Sequence, residues 1–256
     1  MPRTPDELRG AVEAYLADLA LLPELGTLEA PMRHALSGGG KRVRPVLCLA
    51  AGEAAGAEVA RVLPAAAAVE LVHSFSLVHD DLPALDNDAE RRGRPSVWAA
   101  YGEATAILAG DALLAEAFRL ALTYDGGAVA RELTEAALAM IGGQQRDLEG
   151  GHDLGELHRL KTGALFTASV MCGIWAAGLP PAEHPPWRAF AGELGLLFQV
   201  VDDILDGDGY VREVGADAAR RLADEAAARA QARLAEIAAD TAVLAEIVAG
   251  LASRTA

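Results

Sequence analysis

Residues 62–86 read Val62-Leu63-Pro64-Ala65-Ala66-Ala67-Ala68-Val69-Glu70-Leu71-Val72-His73-Ser74-Phe75-Ser76-Leu77-Val78-His79-Asp80-Asp81-Leu82-Pro83-Ala84-Leu85-Asp86. From Val62 to Asp81 the side chains are apolar nearly all the way round, with polar interruptions at Glu70, His73, Ser74, Ser76 and His79. A helix apolar on every face sits at the centre of its domain. This one ends in carboxylates, which face the negative end of the helix dipole at a cost of about 0.3–1 kcal/mol each. Asp80, Asp81 and Asp86 also repel one another, so the stretch calls for a cation.

A second apolar stretch, Phe190 to Leu205, ends the same way, in Asp202-Asp203-Ile204-Leu205-Asp206. Asp202 and Asp206 are four residues apart and share one helical face, an arrangement that destabilises unless a cation bridges it. A solvated acidic loop accounts for either cluster alone. Two clusters, each closing a buried helix, predict facing carboxylate walls with a multi-metal site between them. Mg²⁺ fits such walls, because it takes oxygen ligands from one or two carboxylates and from substrate phosphates.

The rest of the chain agrees with a helical frame. At about 150 residues per domain, 256 residues predict one domain over 1–256. The 52% hydrophobic and 23% charged content excludes disorder, and the 5% aromatic content, with abundant alanine and leucine, predicts an all-α fold. Apolar periodicity marks Leu8–Leu22, and further helices are predicted over Val97–Leu122, Ala128–Ile141, Leu157–Ala177, Trp187–Leu205 and Ala216–Ala249. Predicted breaks fall at Gly38–Gly40, Gly93–Pro95, Gly126-Gly127, Gly142-Gly143, Gly150-Gly151, Leu179–Pro186 and Gly207–Gly209. Thr162–Ala182 approaches spanning length, but its glycines and hydroxyls predict a buried core helix and no membrane span. Cys48 and Cys172 form neither a disulfide framework nor a metal spacing, and Met1–Glu7 has no apolar segment, so a reduced cytoplasmic chain is expected.

A net charge of −15 argues against nucleic-acid partners and anionic membrane surfaces, so any polyanionic ligand must meet a local basic patch. Two patches exist. Gly38-Gly39-Gly40-Lys41-Arg42-Val43-Arg44-Pro45 puts three cations behind a glycine run, and Arg91-Arg92-Gly93-Arg94-Pro95 follows the first acidic cluster. The first lacks P-loop spacing, which disfavours a nucleotide. Lys41 and Lys161 are the only lysines among 22 basic residues. Acidic walls for metal and basic tips for phosphate together imply a diphosphate ligand.

In this order the motifs resemble those of the trans-isoprenyl diphosphate synthases, the family of farnesyl and geranylgeranyl diphosphate synthases, and most of all the bacterial short-chain type. The likeness runs from about Met32 to Arg233. It is anchored at Gly39–Pro45, Glu70–Pro95, Tyr101-Gly102-Glu103 to Gly110-Asp111, Gly142-Gly143-Gln144, Lys161-Thr162-Gly163 and Phe198–Asp206. It implies an isoprenoid-synthase helical bundle around a central cavity, a homodimer, and about three Mg²⁺ ions per active site. It also implies head-to-tail transfer: an allylic diphosphate ionises and isopentenyl diphosphate attacks the carbocation, with released diphosphate taking the proton. Asp80, Asp86 and Asp202 match the principal metal ligands, supported by Asp81, Asp203 and Asp206. Lys41, Arg44, His73 and Arg92 match contacts to isopentenyl diphosphate, and Arg91 and Lys161 contacts to the allylic diphosphate. Thr162 and Gln199 match groups beside the reacting carbon. Phe75 and Ser76 match the floor of the product pocket, and a bulky Phe75 implies a C15 product, with geranylgeranyl diphosphate as the alternative.

The chain departs from the family at several places. Gly207-Asp208-Gly209 stands where a longer, lysine-bearing loop is usual, no lysine follows Lys161, the Leu148–Leu157 connection is short, and Trp98 replaces a common histidine. The missing cations keep a weakly active or non-catalytic partner subunit open. A class I terpene cyclase is disfavoured by the second aspartate motif and by Lys41, Arg44 and His73.

Overall fold

The structure, a computed structural model, describes residues 3–255. It is built almost wholly of helices: α1 (Pro5–Ala17), α2 (Glu29–Leu36), α3 (Val43–Ala54), α4 (Val59–Asp80), α5 (Val97–Tyr101), α6 (Glu103–Ala121), α7 (Ala128–Glu149), α8 (Leu154–His158), α9 (Ala164–Ala177), α10 (His184–Asp206), α11 (Tyr210–Val214), α12 (Ala216–Ala235) and α13 (Ala242–Ala252). One π-helical turn, Arg159–Gly163, joins α8 to α9. The strands among the described residues are a two-stranded hairpin, Glu90–Arg91 against Arg94–Pro95. Its Arg92-Gly93 turn has φ of 56° and 74°, the left-handed pair that matches strand twist.

The predicted central helix is central. α4 packs on α3, α6 and α9, and Val69, Leu71 and Val72 are fully buried. Pro64 lies inside α4 and removes a backbone donor, and the hydroxyl of Tyr124 is inserted next to it. That hydroxyl accepts from the Ala65 N–H (3.1 Å) and donates to the Arg61 carbonyl (2.6 Å), bridging one rung of the ladder. α10 presents Phe190, Ala191, Leu194 and Leu197 to the core and packs on α9 and on the alanine stripe of α12. α3 and α9 meet almost backbone to backbone, since a Cβ on Gly173 would collide with the Cys48 carbonyl oxygen. α4 and Leu154–Ala177 are long and apolar enough to cross a membrane, yet 67% and 56% of those stretches are buried within the bundle.

Several predicted boundaries shift. Val97–Leu122 is two helices, divided at Gly102 by its φ of 88°. Ala128–Ile141 continues through Gly142-Gly143 to Glu149, because α7 needs glycine there: a Cβ on Gly143 would lie 2.6 Å from the Lys161 backbone nitrogen. Leu8–Leu22 stops at Ala17, and Ala216–Ala249 is broken before α13, where the Asp240 carboxylate accepts the Ala242 N–H. α2 and α3 flank the Gly38–Gly40 break in a stretch for which the sequence predicts no helix; Pro45 falls in the first turn of α3, where its missing N–H costs little.

Candidate active site

The two basic patches adjoin at Gly40. Arg42, left-handed at φ 48° and buried, holds the loop before α3. Its guanidinium bonds Glu70 Oε1 at 2.5 Å, Glu13 Oε1 at 2.8 Å and the Leu36 carbonyl. Lys41 and Arg44 flank this anchor. A Cβ on Gly40 would lie 2.5 Å from Arg92 Nη1, so glycine there admits the second patch against the first. Arg44 is stacked over Phe166 and Phe198, at 4.6 and 5.5 Å from the ring centroids, and burial lowers its pKa to about 10. Its Nε has no hydrogen-bond partner among the described residues. Burial and then the nearby Arg44 and Arg92 push His73 well below the usual imidazole range, so it is neutral.

At the end of α4, burial raises the Asp80 carboxyl to about 6, with Asp86 and Asp81 adding to the rise and Lys161 opposing it. Asp86 is exposed, and its N–H closes the loop onto the Asp80 carbonyl at 2.8 Å. At the end of α10, desolvation and then Asp206 and Asp203 raise Asp202, while Arg44 and Lys41 oppose them. Arg44 thus faces the α10 wall electrostatically.

The second aspartate of each pair is turned into the protein and engaged there. Asp81 is 3% exposed and is gripped by Arg91, whose Nε lies 2.7 and 2.9 Å from its two oxygens. Asp203 is 6% exposed; its Oδ1 accepts from Gln199 Nε2 and its Oδ2 from the Tyr210 N–H, at 2.7 and 2.8 Å. Neighbouring helical residues point about 100° apart, so when the first aspartate faces the site the second turns into the protein.

A cavity of about 350 Å³ has Arg44, His73, Asp80, Lys161 and Thr162 among its polar lining residues. Phe75, Ser76, Met140, Ile141 and Leu165 line it as well. The structure does not bring the other expected residues into this lining. Lys41 borders a cleft against α1 and α13, and Arg91 and Arg92 line a small pocket under the hairpin. Gln199 lines a second cavity, of about 630 Å³, between α7, α9 and α10, while Thr162 lines the first. Its amide is drawn that way by Asp203. Sequence reasoning missed Asp147, which pairs with Lys161 Nζ at 2.5 Å, and His158, whose ring packs on Tyr210. The spacing of Asp147 one turn beyond Gly143 was the available signal.

These features coincide with what comparison finds. The sequence model described as Polyprenyl synthetase matches residues 26–243. The chain belongs to the polyprenyl synthetase family. It is 45% identical to geranylgeranyl diphosphate synthase of Cyanophora paradoxa over 68% of this chain and 64% of that one. It is 39% identical to farnesyl diphosphate synthase of Geobacillus stearothermophilus over 82% and 76%. The crystal structure of geranyltransferase from Legionella pneumophila superposes with a TM-score of 0.90 at 31% identity, covering 98% and 96%. The chain spans 64% of the length of the first of these curated relatives.

The donor set fits Mg²⁺. Asp80 and Asp202 offer hard carboxylate oxygens whose pKa values are raised by burial and by like charges, a strain that a bound cation relieves. Among the described residues no three acidic, histidine or cysteine side chains gather closely enough to cage an ion alone.

Proposed function

We propose that the chain, acting as one domain over residues 1–256, is a short-chain trans-prenyltransferase joining isopentenyl diphosphate to an allylic diphosphate. The observation that carries this reading is the cavity in which Asp80, Lys161, Arg44 and His73 sit over an apolar interior floored by Phe75. Asp80 and Asp86 on one wall, and Asp202 and Asp206 on the other, would hold Mg²⁺. When bound, the metal neutralises the diphosphate and makes it a better leaving group. Lys161 and Arg91 bind the allylic diphosphate by direct contact, while Lys41, Arg44 and Arg92 bind that of isopentenyl diphosphate. Neutral His73 keeps an acceptor or a donor available to that second group without adding charge. Thr162 offers oxygen to the positive charge that develops on the allylic carbon.

Phe75, almost wholly buried and five residues before Asp80, is one of the apolar residues that line the cavity, and its bulk supports a C15 product. Relatives named as farnesyl and as geranylgeranyl synthases keep C20 as the other product. We further propose a homodimer formed through α6 and α7. Ile107, Leu108, Leu122 and Leu138 are exposed there, and exposed Ile141 and Leu148 also line the cavity. Free, buried Cys48 and Cys172 accord with a reducing, cytoplasmic setting.

The test is incubation with Mg²⁺, isopentenyl diphosphate and dimethylallyl, geranyl or farnesyl diphosphate, with products resolved by chain length. C15 from the shorter starters is expected, and Phe75→Ala shifts the product toward C20. Folded protein that yields no prenyl product from any starter defeats the reading and leaves the partner-subunit alternative.

A further inference from the structure

His79 on α4 and the Gly110-Asp111 pair on α6 take no part in holding metal or diphosphate, yet they meet. The His79 ring leaves α4 and lies so close to α6 that a Cβ on Gly110 would collide with it, so glycine at that position is what admits the ring. Its Nε2 is 3.0 Å from the Ile107 carbonyl oxygen and 3.9 Å from Asp111 Oδ1. A carbonyl and a carboxylate only accept, so Nε2 carries the proton and donates it to Ile107. The carbonyl has a second lone pair for this bond, and α6 keeps its own ladder.

The same ring packs edge-on against Phe75, one turn earlier on α4, with centroids 5.4 Å apart and planes at 85°. Side chains on a helix lean towards its N-terminus, so a residue at i+4 comes down over the one at i. Phe75 and His79 both line the 350 Å³ cavity that Asp80, Lys161 and Thr162 share. Phe75 is the deeper of the two, and the ring that covers it is tied to a neighbouring helix. An aromatic side chain keeps one rotamer where its neighbours leave no room for another.

We propose that His79 is a positioning residue for product length: pinned to α6 by the Ile107 carbonyl and by the space at Gly110, it holds the Phe75 ring in place in the apolar part of the cavity. The part concerning length rests on the prenyl-transfer reading, whereas the brace itself does not. Ile107 and Gly110, which do not line the cavity, thereby set the room left for the growing chain. Without the brace the phenyl ring turns into the space that the imidazole leaves, and the pocket deepens although Phe75 is unchanged.

Product analysis of four variants tests this. His79→Ala is expected to raise the share of products one isoprene unit longer by about tenfold, the direction of Phe75→Ala. Its KM values and Mg²⁺ half-saturation stay within about twofold, which separates a lost brace from damage to the adjacent Asp80. Gly110→Ala displaces the ring from the opposite helix and shifts the products the same way with α4 untouched. His79→Gln, whose amide can donate to the same carbonyl, keeps the wild-type distribution. In the Phe75→Ala background, His79→Ala changes the distribution by less than about twofold, because its effect passes through the phenyl ring. Unchanged products from folded H79A or G110A overturn the proposal, as does H79Q that behaves like H79A. Additive lengthening in the double variant also overturns it, by making His79 a wall of the pocket in its own right, and so does a tenfold rise in the Mg²⁺ requirement of H79A. If wild type makes no prenyl product, the function reading falls and the part concerning length falls with it. A double-mutant cycle between Phe75 and His79 in urea unfolding then decides the brace without turnover: coupling sustains it and additivity overturns it.

Discussion

α4 and α10 end alike and are finished differently. Each closes on an aspartate pair whose first member carries a raised carboxyl pKa and whose second is buried and fully engaged. At α4 the buried member, Asp81, is held by a cation, Arg91, delivered by a hairpin ten residues on. At α10 the buried member, Asp203, is held by a backbone N–H and an amide. The α4 end therefore meets its buried aspartate with a cation of its own fold, and the α10 end meets its buried aspartate with neutral donors. The nearest cations to Asp202 come instead from the start of α3, as Arg44 and Lys41. The difference shows what a short turn can and cannot replace: it can fix a helix end, but the charge must come from elsewhere.

The sharpest way to break the comparison is to remove the members that face the site. Asp80→Ala and Asp202→Ala are each expected to lower kcat/KM by about a thousandfold or more, since each removes a wall that holds metal and diphosphate. Steady-state prenyl transfer at saturating Mg²⁺ checks this. The division of labour between first and second aspartates collapses if Asp203→Asn, with its fold intact, loses as much activity as Asp202→Ala.

The inward members separate on stability. Asp81→Asn leaves Arg91 facing a neutral group in a largely buried pocket and is expected to cost about 2–3 kcal/mol in urea unfolding. Asp203→Asn, whose partners are neutral and can re-pair, is expected to cost under about 0.5 kcal/mol. Equal losses would mean that the nature of the partner, charged or neutral, is irrelevant at these two ends.

Both acidic ends were legible because a helix apolar all round announces burial and a carboxylate at its C-terminus announces a missing cation. The glycine run before Lys41 was legible as close approach, although its visitor, Arg92, was not. Which member of an aspartate pair turns inward was hidden, because it depends on how the whole helix is rotated against its neighbours. Gly142-Gly143 read as a break since glycine costs a helix about 1 kcal/mol relative to alanine. In the fold that cost is offset by the contact it permits with the Lys161 backbone. The π turn at Arg159–Gly163, which sends Lys161 and Thr162 to one cavity and Gly163 to the other, leaves no compositional trace.

The last expected effect has the opposite sign and isolates Asp80. Its carboxyl rises from an ordinary 3.8 to about 6 on folding, chiefly through burial. The folded state therefore binds that proton more tightly than the unfolded chain does. Without metal, the contribution of this one group should be fully present below about pH 4, decline as pH climbs through about 6 and be lost by about pH 7, with a total of up to about 3 kcal/mol before solvent screening reduces it. Asp80→Asn removes this decline, so at pH 7 without Mg²⁺ the variant should be more stable than wild type by the same amount, the two converging in acid. Saturating Mg²⁺ with diphosphate should reverse the order, because only the wild type gains the cation that its carboxylate lacks. Urea unfolding at pH 4 and pH 7, with and without Mg²⁺ and diphosphate, reads all four conditions. A wild type as stable as Asp80→Asn at pH 7 in the metal-free state would show that Arg91 and Lys161 already neutralise this end, and that α4 has less need of a metal than α10.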